Sequence, residues 1–317
     1  MFLLASTGCG ADEAAPAGCS GDVVALAQET PGQEGRPRVV TVTGGDEAPD
    51  VRVVSDDWVA TAPAVSPDGA WLVVTRTPNG DYESAGPGPT ALWRVALDGS
   101  RPHRLSSAPD EAAPDVSPDG RQVAVAARLG ERSDPTWRVA SVPADGGEPR
   151  ALTPSTLGPV RATAWSPDGG RVAYLSRPRQ ASGPAATGVW VVAAEGGEPR
   201  WVADVADAFW LDWRDDATLL VGTTSVADGT IEQVDAATGA IERLADDATM
   251  PAVTPDGERL YHLVRVPAPS DGVAGESVEW RLAVARLTDA GLEDEALVGD
   301  LVTPFLYPYL GMSAGCA

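Results

Sequence analysis

A four-residue turn that recurs along the chain constrains the fold more than any other feature. The sequence Ser/Thr-Pro-Asp-Gly begins at Ser66, Ser117, Ser166 and Thr254, and a degenerate copy begins at Arg214. The five starting positions are separated by 51, 49, 48 and 40 residues, a mean of 47. Internal repetition with a period of about 20–50 residues is typical of solenoids, propellers and repeat arrays.

Each repeat contains the pattern of four strands. Serine, proline, aspartate and glycine in this order fit a type I turn that closes a hairpin, and an apolar stretch such as Leu72–Thr75 follows the turn. A third strand carries one tryptophan per repeat, at Trp93, Trp137, Trp190 and Trp280. A second glycine-containing turn then leads to a fourth strand. Four strands in about 47 residues indicate one blade of a β-propeller.

The number of repeats predicts six blades. Five turns give five blades, and Asp22–Leu26, Arg38–Val42 and Val51–Val54 supply three strands of another. The segment Pro308–Gly315 lies where a further repeat would begin, so we expect it to form the missing innermost strand. The sequence therefore predicts an all-β, six-bladed propeller of four-stranded blades over residues 21–317. Its ring is closed by a C-terminal strand that completes the first blade.

These motifs also carry a resemblance to a known family. The Ser-Pro-Asp-Gly turn, the tryptophan strand and the Gly-Gly-Glu-Pro-Arg segments 146–150 and 196–200 resemble the WD-like propeller repeats of TolB and related proteins. The resemblance covers roughly residues 20–317, the propeller alone and not the α/β domain that precedes it in TolB. It implies a six-bladed propeller in an extracytoplasmic setting, without implying membership of the Tol–Pal system.

The N-terminal residues resemble the end of a bacterial lipoprotein signal peptide. In residues 1–8, Ser6-Thr7-Gly8 provide the small residues that precede a lipidated cysteine, here Cys9. Residues 9–20 would then form a small, polar tether. We expect a lipid anchor in the bacterial cell envelope, facing the periplasm or the cell surface. The alternative is that Cys9 carries no modification.

The other two cysteines lie at opposite ends of the chain but beside neighbouring strands of the predicted first blade: Cys316 follows the closing strand, and Cys19 precedes the second strand. Lipidation of Cys9 leaves Cys19 and Cys316 as a pair in a compartment that permits disulfides. Closure of the ring would bring them within disulfide distance. We expect a Cys19–Cys316 disulfide, with two free thiols as the alternative.

The net charge limits the possible partners. The chain carries 46 acidic and 23 basic residues, a net charge of −23. A surface this negative repels phosphate backbones and offers no basic patch for anionic lipids. We expect no nucleic-acid binding, membrane contact through the N-terminal lipid only, and a monomer.

Catalytic and metal-binding patterns are weak. Gly311-Met312-Ser313-Ala314-Gly315 matches a nucleophile elbow, but an elbow needs a following helix and a downstream acid and histidine. His103 and His262 occupy unlike repeat positions, and the recurrent aspartates are explained by their turns. We therefore predict no enzyme activity, no cofactor and no metal site. The repeated tryptophans are expected in the core between blades.

The loops carry the remaining functional signal. One face of the propeller holds the short turns between strands one and two and between strands three and four, and we call it the tight-turn face. The opposite, loop-rich face holds longer segments rich in Gly, Pro, Ser and Ala: Thr77–Thr90, Leu129–Pro135, Pro178–Thr187 and Pro267–Glu279. Loops on a rigid scaffold are common binding sites.

The sequence predicts binding of an envelope protein or peptide, at the loop-rich face or the mouth of the central channel. The alternative is an enzyme or small-molecule binder of the lyase, cyclase or lactonase type that uses the channel. Such a protein needs several converging polar groups. The innermost strands offer Asp115 and Asp212 as candidate polar residues at the channel mouth.

Overall fold

The structure is a computed structural model, and it describes twelve segments of the chain. These segments are residues 22–28, 38–43, 49–54, 60–76, 90–108, 110–130, 136–154, 158–176, 186–223, 229–267, 278–303 and 312–316. Cys9, Cys19, residues 1–21 and most of each long loop lie outside them. The lipid anchor and the disulfide therefore stay predictions, as do the boundaries drawn at residues 8 and 20.

Six antiparallel sheets of four strands make up the described structure, which confirms the predicted six-bladed propeller. Blade 1 consists, from the inside outwards, of β24 (Met312–Cys316), β1 (Asp22–Gln28), β2 (Arg38–Thr43) and β3 (Asp50–Val53). Blade 2 consists of β4 (Ala60–Val65), β5 (Trp71–Arg76), β6 (Ala91–Ala96) and β7 (His103–Arg104). Blade 3 consists of β8 (Glu111–Val116), β9 (Gln122–Leu129), β10 (Thr136–Pro143) and β11 (Arg150–Ala151).

The remaining blades follow the same order. Blade 4 consists of β12 (Val160–Trp165), β13 (Arg171–Ser176), β14 (Ala186–Ala193) and β15 (Arg200–Ala206). Blade 5 consists of β16 (Ala208–Trp213), β17 (Thr218–Thr223), β18 (Thr230–Asp235) and β19 (Ile241–Asp246). Blade 6 consists of β20 (Ala248–Val253), β21 (Arg259–Pro267), β22 (Val278–Thr288) and β23 (Gly291–Thr303).

The C-terminal strand closes the ring as expected. Strand β24 pairs antiparallel with β1 from Asp22 opposite Cys316 to Leu26 opposite Met312. Its other neighbours in space are the innermost strands of blades 2 and 6, β4 and β20. Across the closing interface, Asp22 accepts hydrogen bonds from Arg259 Nη2 and from the Tyr261 hydroxyl, both at 2.7 Å.

The Ser-Pro-Asp-Gly turns satisfy their own polar groups. In blade 2, Gly69 N donates to Ser66 O at 2.8 Å, and Ser66 Oγ donates to Asp68 Oδ1 at 2.7 Å. The glycine has φ +62°, which suits the residue that leads back into the next strand. The hydroxyl–carboxylate bond recurs in the turns of blades 3, 4 and 6. These aspartates have a structural role in the turns.

In blades 2 to 5, the second turn packs against the preceding blade. A Cβ on Gly239, between β18 and β19, would lie 2.3 Å from Val202 O of blade 4. A Cβ on Gly99 would lie 2.3 Å from Val54 O of blade 1. Glycine is required here because the blade interface leaves no space for a side chain. This contact explains the glycine of the second turn.

Arginines link neighbouring blades on the tight-turn face. Arg94 of blade 2 donates to Ala144 O of blade 3 at 2.9 Å. Equivalent bonds to the second turn of the following blade run from Arg150 to Ala194 O and from Arg200 to Ala236 O. Charge-assisted bonds of this kind strengthen a blade interface that is otherwise held by apolar packing.

The apolar core lies between the blades. The buried side chains are mostly Val, Ala and Leu of the three inner strands, and Trp93, Trp137, Trp190 and Trp280 contact these clusters. Within the described residues, no helix has the length and hydrophobicity to span a membrane.

Candidate functional site

The innermost strands contact one another around the ring and enclose the central channel. Each innermost strand has an equivalent position. In blades 2 to 6 it lies two residues before the Ser-Pro-Asp-Gly turn or its degenerate copy. In the odd-numbered blades this position holds a polar residue, namely Ser313, Asp115 and Asp212. In the even-numbered blades it holds alanine, namely Ala64, Ala164 and Ala252. The channel therefore has a polar position on every second blade.

Each of these polar side chains bonds to the next blade. Asp115 Oδ2 accepts a hydrogen bond from Trp165 N at 2.6 Å, and Asp212 Oδ2 accepts one from Val253 N at 2.7 Å. Ser313 Oγ accepts a longer bond from Val65 N at 3.1 Å. Innermost strands have one unpaired edge, so these contacts satisfy backbone donors there. The three side chains therefore join neighbouring blades at the inner edge of the ring.

The two channel carboxyls are strongly desolvated. Burial and, to a smaller extent, the nearby charge of Asp212 raise the pKa of Asp115 to about 8. Burial likewise raises the pKa of Asp212 to about 7. Both side chains are partly exposed by surface area, but the protein around them limits their hydration. Near neutral pH these two groups can therefore hold or release protons.

Sequence reasoning missed a third buried acid in the innermost strands. Glu111, at the start of β8, is fully buried, accepts a hydrogen bond from Leu92 N at 3.3 Å and a short one from Ser106 Oγ. Burial raises the pKa of its carboxyl. Leu92 and Ser106 belong to blade 2, so Glu111 joins blades 2 and 3. Its position at a strand start gave no sign of this contact.

Histidine and acid also meet in blade 6. His262 of β21 is fully buried, and its Nε2 lies 2.9 Å from Glu295 Oε2 of β23. The hydrogen bond from His262 lowers the pKa of the half-exposed Glu295. Within the described residues, no three His, Cys, Asp or Glu side chains converge as a metal-binding group.

The Gly-x-Ser-x-Gly match is part of a strand. Met312–Cys316 forms β24, and Ser313 in its middle contacts the backbone of blade 2. Ser313 is therefore extended, not placed on a strand-to-helix turn as a nucleophile elbow requires. The loop-rich segments expected to bind a partner lie mostly outside the described residues.

Comparison with known proteins agrees with this geometry. No family model and no curated protein matches the chain. A solved structure assigned as TolB from Agrobacterium tumefaciens is similar, with TM-score 0.60, 17% identity and coverage of 94% of this chain and 98% of that one. The chain has the fold of the TolB-like propellers. The expected resemblance is thus confirmed at the level of fold.

The same fold is shared with proteins of different roles. A chain of the nidogen/laminin complex matches with TM-score 0.62 and 14% identity, over 93% of this chain and 98% of that one. An oligogalacturonate lyase in complex with manganese matches with TM-score 0.52 and 17% identity, over 81% and 73%. The TolB-like fold thus occurs in both binding proteins and enzymes.

Proposed function

We propose that this protein is a non-enzymatic, extracytoplasmic propeller that binds a protein or peptide through its loop-rich face or channel mouth. The observation that carries the proposal is that different parts of the ring have different roles. The polar groups of the tight turns largely bond within their own turns, and those of the innermost strands hold neighbouring blades together. The sequence places its long segments, rich in Gly, Pro, Ser and Ala, between the second and third strands on the opposite face, and loops on a rigid scaffold are common binding sites.

The structural comparisons support this proposal. The nidogen/laminin structure is named as a complex of two proteins, and the matched chain in it has a propeller of this fold. Similarity to TolB supports an extracytoplasmic location and a protein partner. A lipid anchor at Cys9 would hold the propeller at a membrane. Detergent phase separation tests this: the native protein should enter the detergent phase, and the Cys9→Ser variant should enter the aqueous phase.

Site-specific photo-crosslinking tests the binding face. A photoreactive residue at Leu129 or Glu279, at the edges of loop-rich segments, should crosslink one and the same protein. Glu258 and Asp289 of blade 6, both exposed on the tight-turn face, are the matched positions on the opposite side. The identified protein should then bind the purified propeller. Crosslinks from Glu258 and Asp289 alone would overturn the proposal.

A second candidate function is supported by Asp115 and Asp212. Two carboxyls that titrate near neutral pH in a channel are suited to general acid–base chemistry or to binding a small polar molecule. The fold of the oligogalacturonate lyase shows that such a propeller can be an enzyme. Mass spectrometry of the purified protein under non-denaturing conditions separates the two. A small molecule that copurifies with the native chain and not with Asp115→Asn/Asp212→Asn would favour this alternative.

A further inference from the structure

A groove opens on the tight-turn face at the interface of blades 3 and 4. Its volume is about 730 Å³. Trp165, the last residue of β12, lies in its lining together with Pro118 and Pro167 of the two turns. Its charged lining residues are Asp119, Asp168, Glu195 and Arg150.

The next interface, between blades 4 and 5, holds an arginine at the corresponding place. Arg171, the first residue of β13, has its guanidinium carbon 5.0 Å from the ring centroid of Trp213, the last residue of β16. Its Nη2 donates to Asp216 O at 2.6 Å and lies 3.5 Å from Asp168 Oδ2. A guanidinium above an indole and beside a carboxylate is a favourable cation–π and ion-pair arrangement.

At the groove, the same two positions hold a different pair. Trp165 is equivalent to Trp213, but the residue equivalent to Arg171 is Gln122, the first residue of β9. Gln122 is shorter and neutral, and its Oε1 accepts a hydrogen bond from Ser141 Oγ at 2.6 Å. At blades 3 and 4 the chain therefore supplies the indole and the carboxylates of this arrangement. The position of Gln122 does not supply a guanidinium.

The two tryptophans also differ in their hydrogen bonds. Trp213 Nε1 donates to Ala164 O at 3.0 Å. Trp165 is 8% exposed, and its buried Nε1 has no hydrogen-bond partner among the described residues. A buried donor without an acceptor is unfavourable.

The groove lining has an excess of negative charge. Hydrogen bonds from Ser166 and Gly170 lower the pKa of Asp168, and the pKa of Asp119 is also lowered, because bonds from Ser117 and Arg121 outweigh the opposing effect of burial. Both stay ionised at neutral pH. Arg150, the basic lining residue, donates to Ala194 O and Glu195 O, both at 2.9 Å. The lining thus favours a cationic occupant.

We propose that this groove binds an arginine side chain of a partner polypeptide, placed over Trp165 as Arg171 is placed over Trp213. The proposal is independent of the one for the loop-rich face, since it concerns the opposite side of the ring. A polypeptide is favoured over a free amino acid because the volume, within the range of about 300–1,000 Å³ that accommodates drug-sized ligands, exceeds the needs of one guanidinium. The net charge of −23 favours encounter with a basic partner.

Peptide titration tests the proposal. The probes are the blocked tripeptide Ala-Arg-Ala, the same peptide with citrulline, the neutral isostere of arginine, and free arginine. Binding is followed through the indole N–H resonance of Trp165, which the Trp165→Phe variant assigns. We expect a saturable shift with the arginine peptide and affinity weaker by about tenfold or more for citrulline and free arginine.

Substitutions make the test specific to the groove. Gln122→Arg would place a guanidinium of the chain over Trp165 and should abolish peptide binding, whereas Gln122→Leu, which also loses the Ser141 bond, should retain it. Asp119→Asn should weaken binding several-fold. Asp256→Asn alters the equivalent turn of blade 6, away from the groove, and should leave binding unchanged.

Three results would overturn the proposal. The first is the lack of a saturable shift up to about 5 mM peptide, which corresponds to a binding free energy weaker than about −3 kcal/mol. The second is equal affinity for the arginine peptide and for the citrulline peptide or free arginine. The third is undiminished peptide binding by the Gln122→Arg variant. Each variant is first checked for an unchanged thermal unfolding transition, and Gln122→Leu controls for any loss of folding at that position.

Discussion

At the scale of single residues, the position of an aspartate in the blade can shift its pKa in either direction. In the turns, hydrogen bonds from Ser166 and Gly170 lower the pKa of Asp168. In the channel, burial raises the pKa values of Asp115 and Asp212 to about 8 and about 7. The same side chain therefore stabilises the fold in different pH ranges, depending on its position in the blade.

Stability should fall as the pH rises through neutrality. The pKa values of Asp115 and Asp212 in the folded chain lie above the ordinary value of 3.8, so their protonated forms favour folding. Their contribution is complete below pH about 4 and is lost as the pH rises through about 7 to 8. Thermal unfolding midpoints measured from pH about 5 to 9 should therefore decrease.

Asparagine replacements give the control for this prediction. Asp115→Asn/Asp212→Asn can keep the acceptors for the next blade and stays neutral, so its midpoint should depend less on pH above 6, as the linkage argument requires. Asp168→Asn should lower the midpoint at neutral pH and change the slope of the profile only on its acid side, because the lowered pKa of Asp168 gives a contribution that is lost as the pH falls. A wild-type profile with no decrease between pH about 6 and 9 would contradict the assignment of the channel carboxyls.

At the scale of turns, glycine is required by the neighbouring blade as well as by backbone conformation. Gly239 and Gly169 have similar positive φ values of +75° and +68°. A Cβ on Gly239 would lie 2.3 Å from Val202 O, whereas a Cβ on Gly169 would meet nothing within 4 Å. The two positions therefore separate the energy of the φ angle from that of the blade contact.

Gly239→Ala should destabilise the protein more than Gly169→Ala. Both alanines carry the energy of a left-handed conformation, about 1–2 kcal/mol. Gly239→Ala must also displace the backbone of blade 4. This displacement should lower the free energy of unfolding by about a further 1–3 kcal/mol, which is the typical effect of overpacking. Denaturant titration measures both. Equal losses would mean that the interface tolerates a side chain.

Sequence patterns predicted the elements better than the contacts between them. The turn at Ser66 and the strands around Trp93 were predictable because turn chemistry and alternation are local signals. The bonds from Arg94 to blade 3 and from Glu111 to blade 2 join residues far apart in the chain or on different blades, so no local pattern shows them. Asp115 and Asp212 stood out because they are polar in apolar strands. Their bonds to the next blade were not predictable.

The short outer strands show the same limit. Strands β7 and β11 have two residues each, whereas β23 has thirteen. The outermost strand pairs on one side only, so the repeat does not fix its length. The repeat did predict the innermost strand of blade 1, since a ring with one strand missing leaves an unpaired edge on β1.

At the scale of the whole molecule, closure of the ring is the claim on which the others depend. Strand β24 pairs with β1 and contacts β4 and β20, and Asp22 joins β1 to Arg259 and Tyr261 of blade 6. The channel, the blade interfaces and the two opposed faces all require that these contacts hold in solution.

Amide hydrogen exchange of the full chain measures this closure most directly. If the ring is closed, the hydrogen-bonded amides of Met312–Cys316 should exchange as slowly as those of β1 and β2, because they open only with the propeller as a whole. Surface turns such as Asp289-Ala290 provide the fast reference within the same protein. Exchange of the Met312–Cys316 amides at the rate of those turns, while β1 and β2 stay protected, would show that the C-terminal strand does not close the ring.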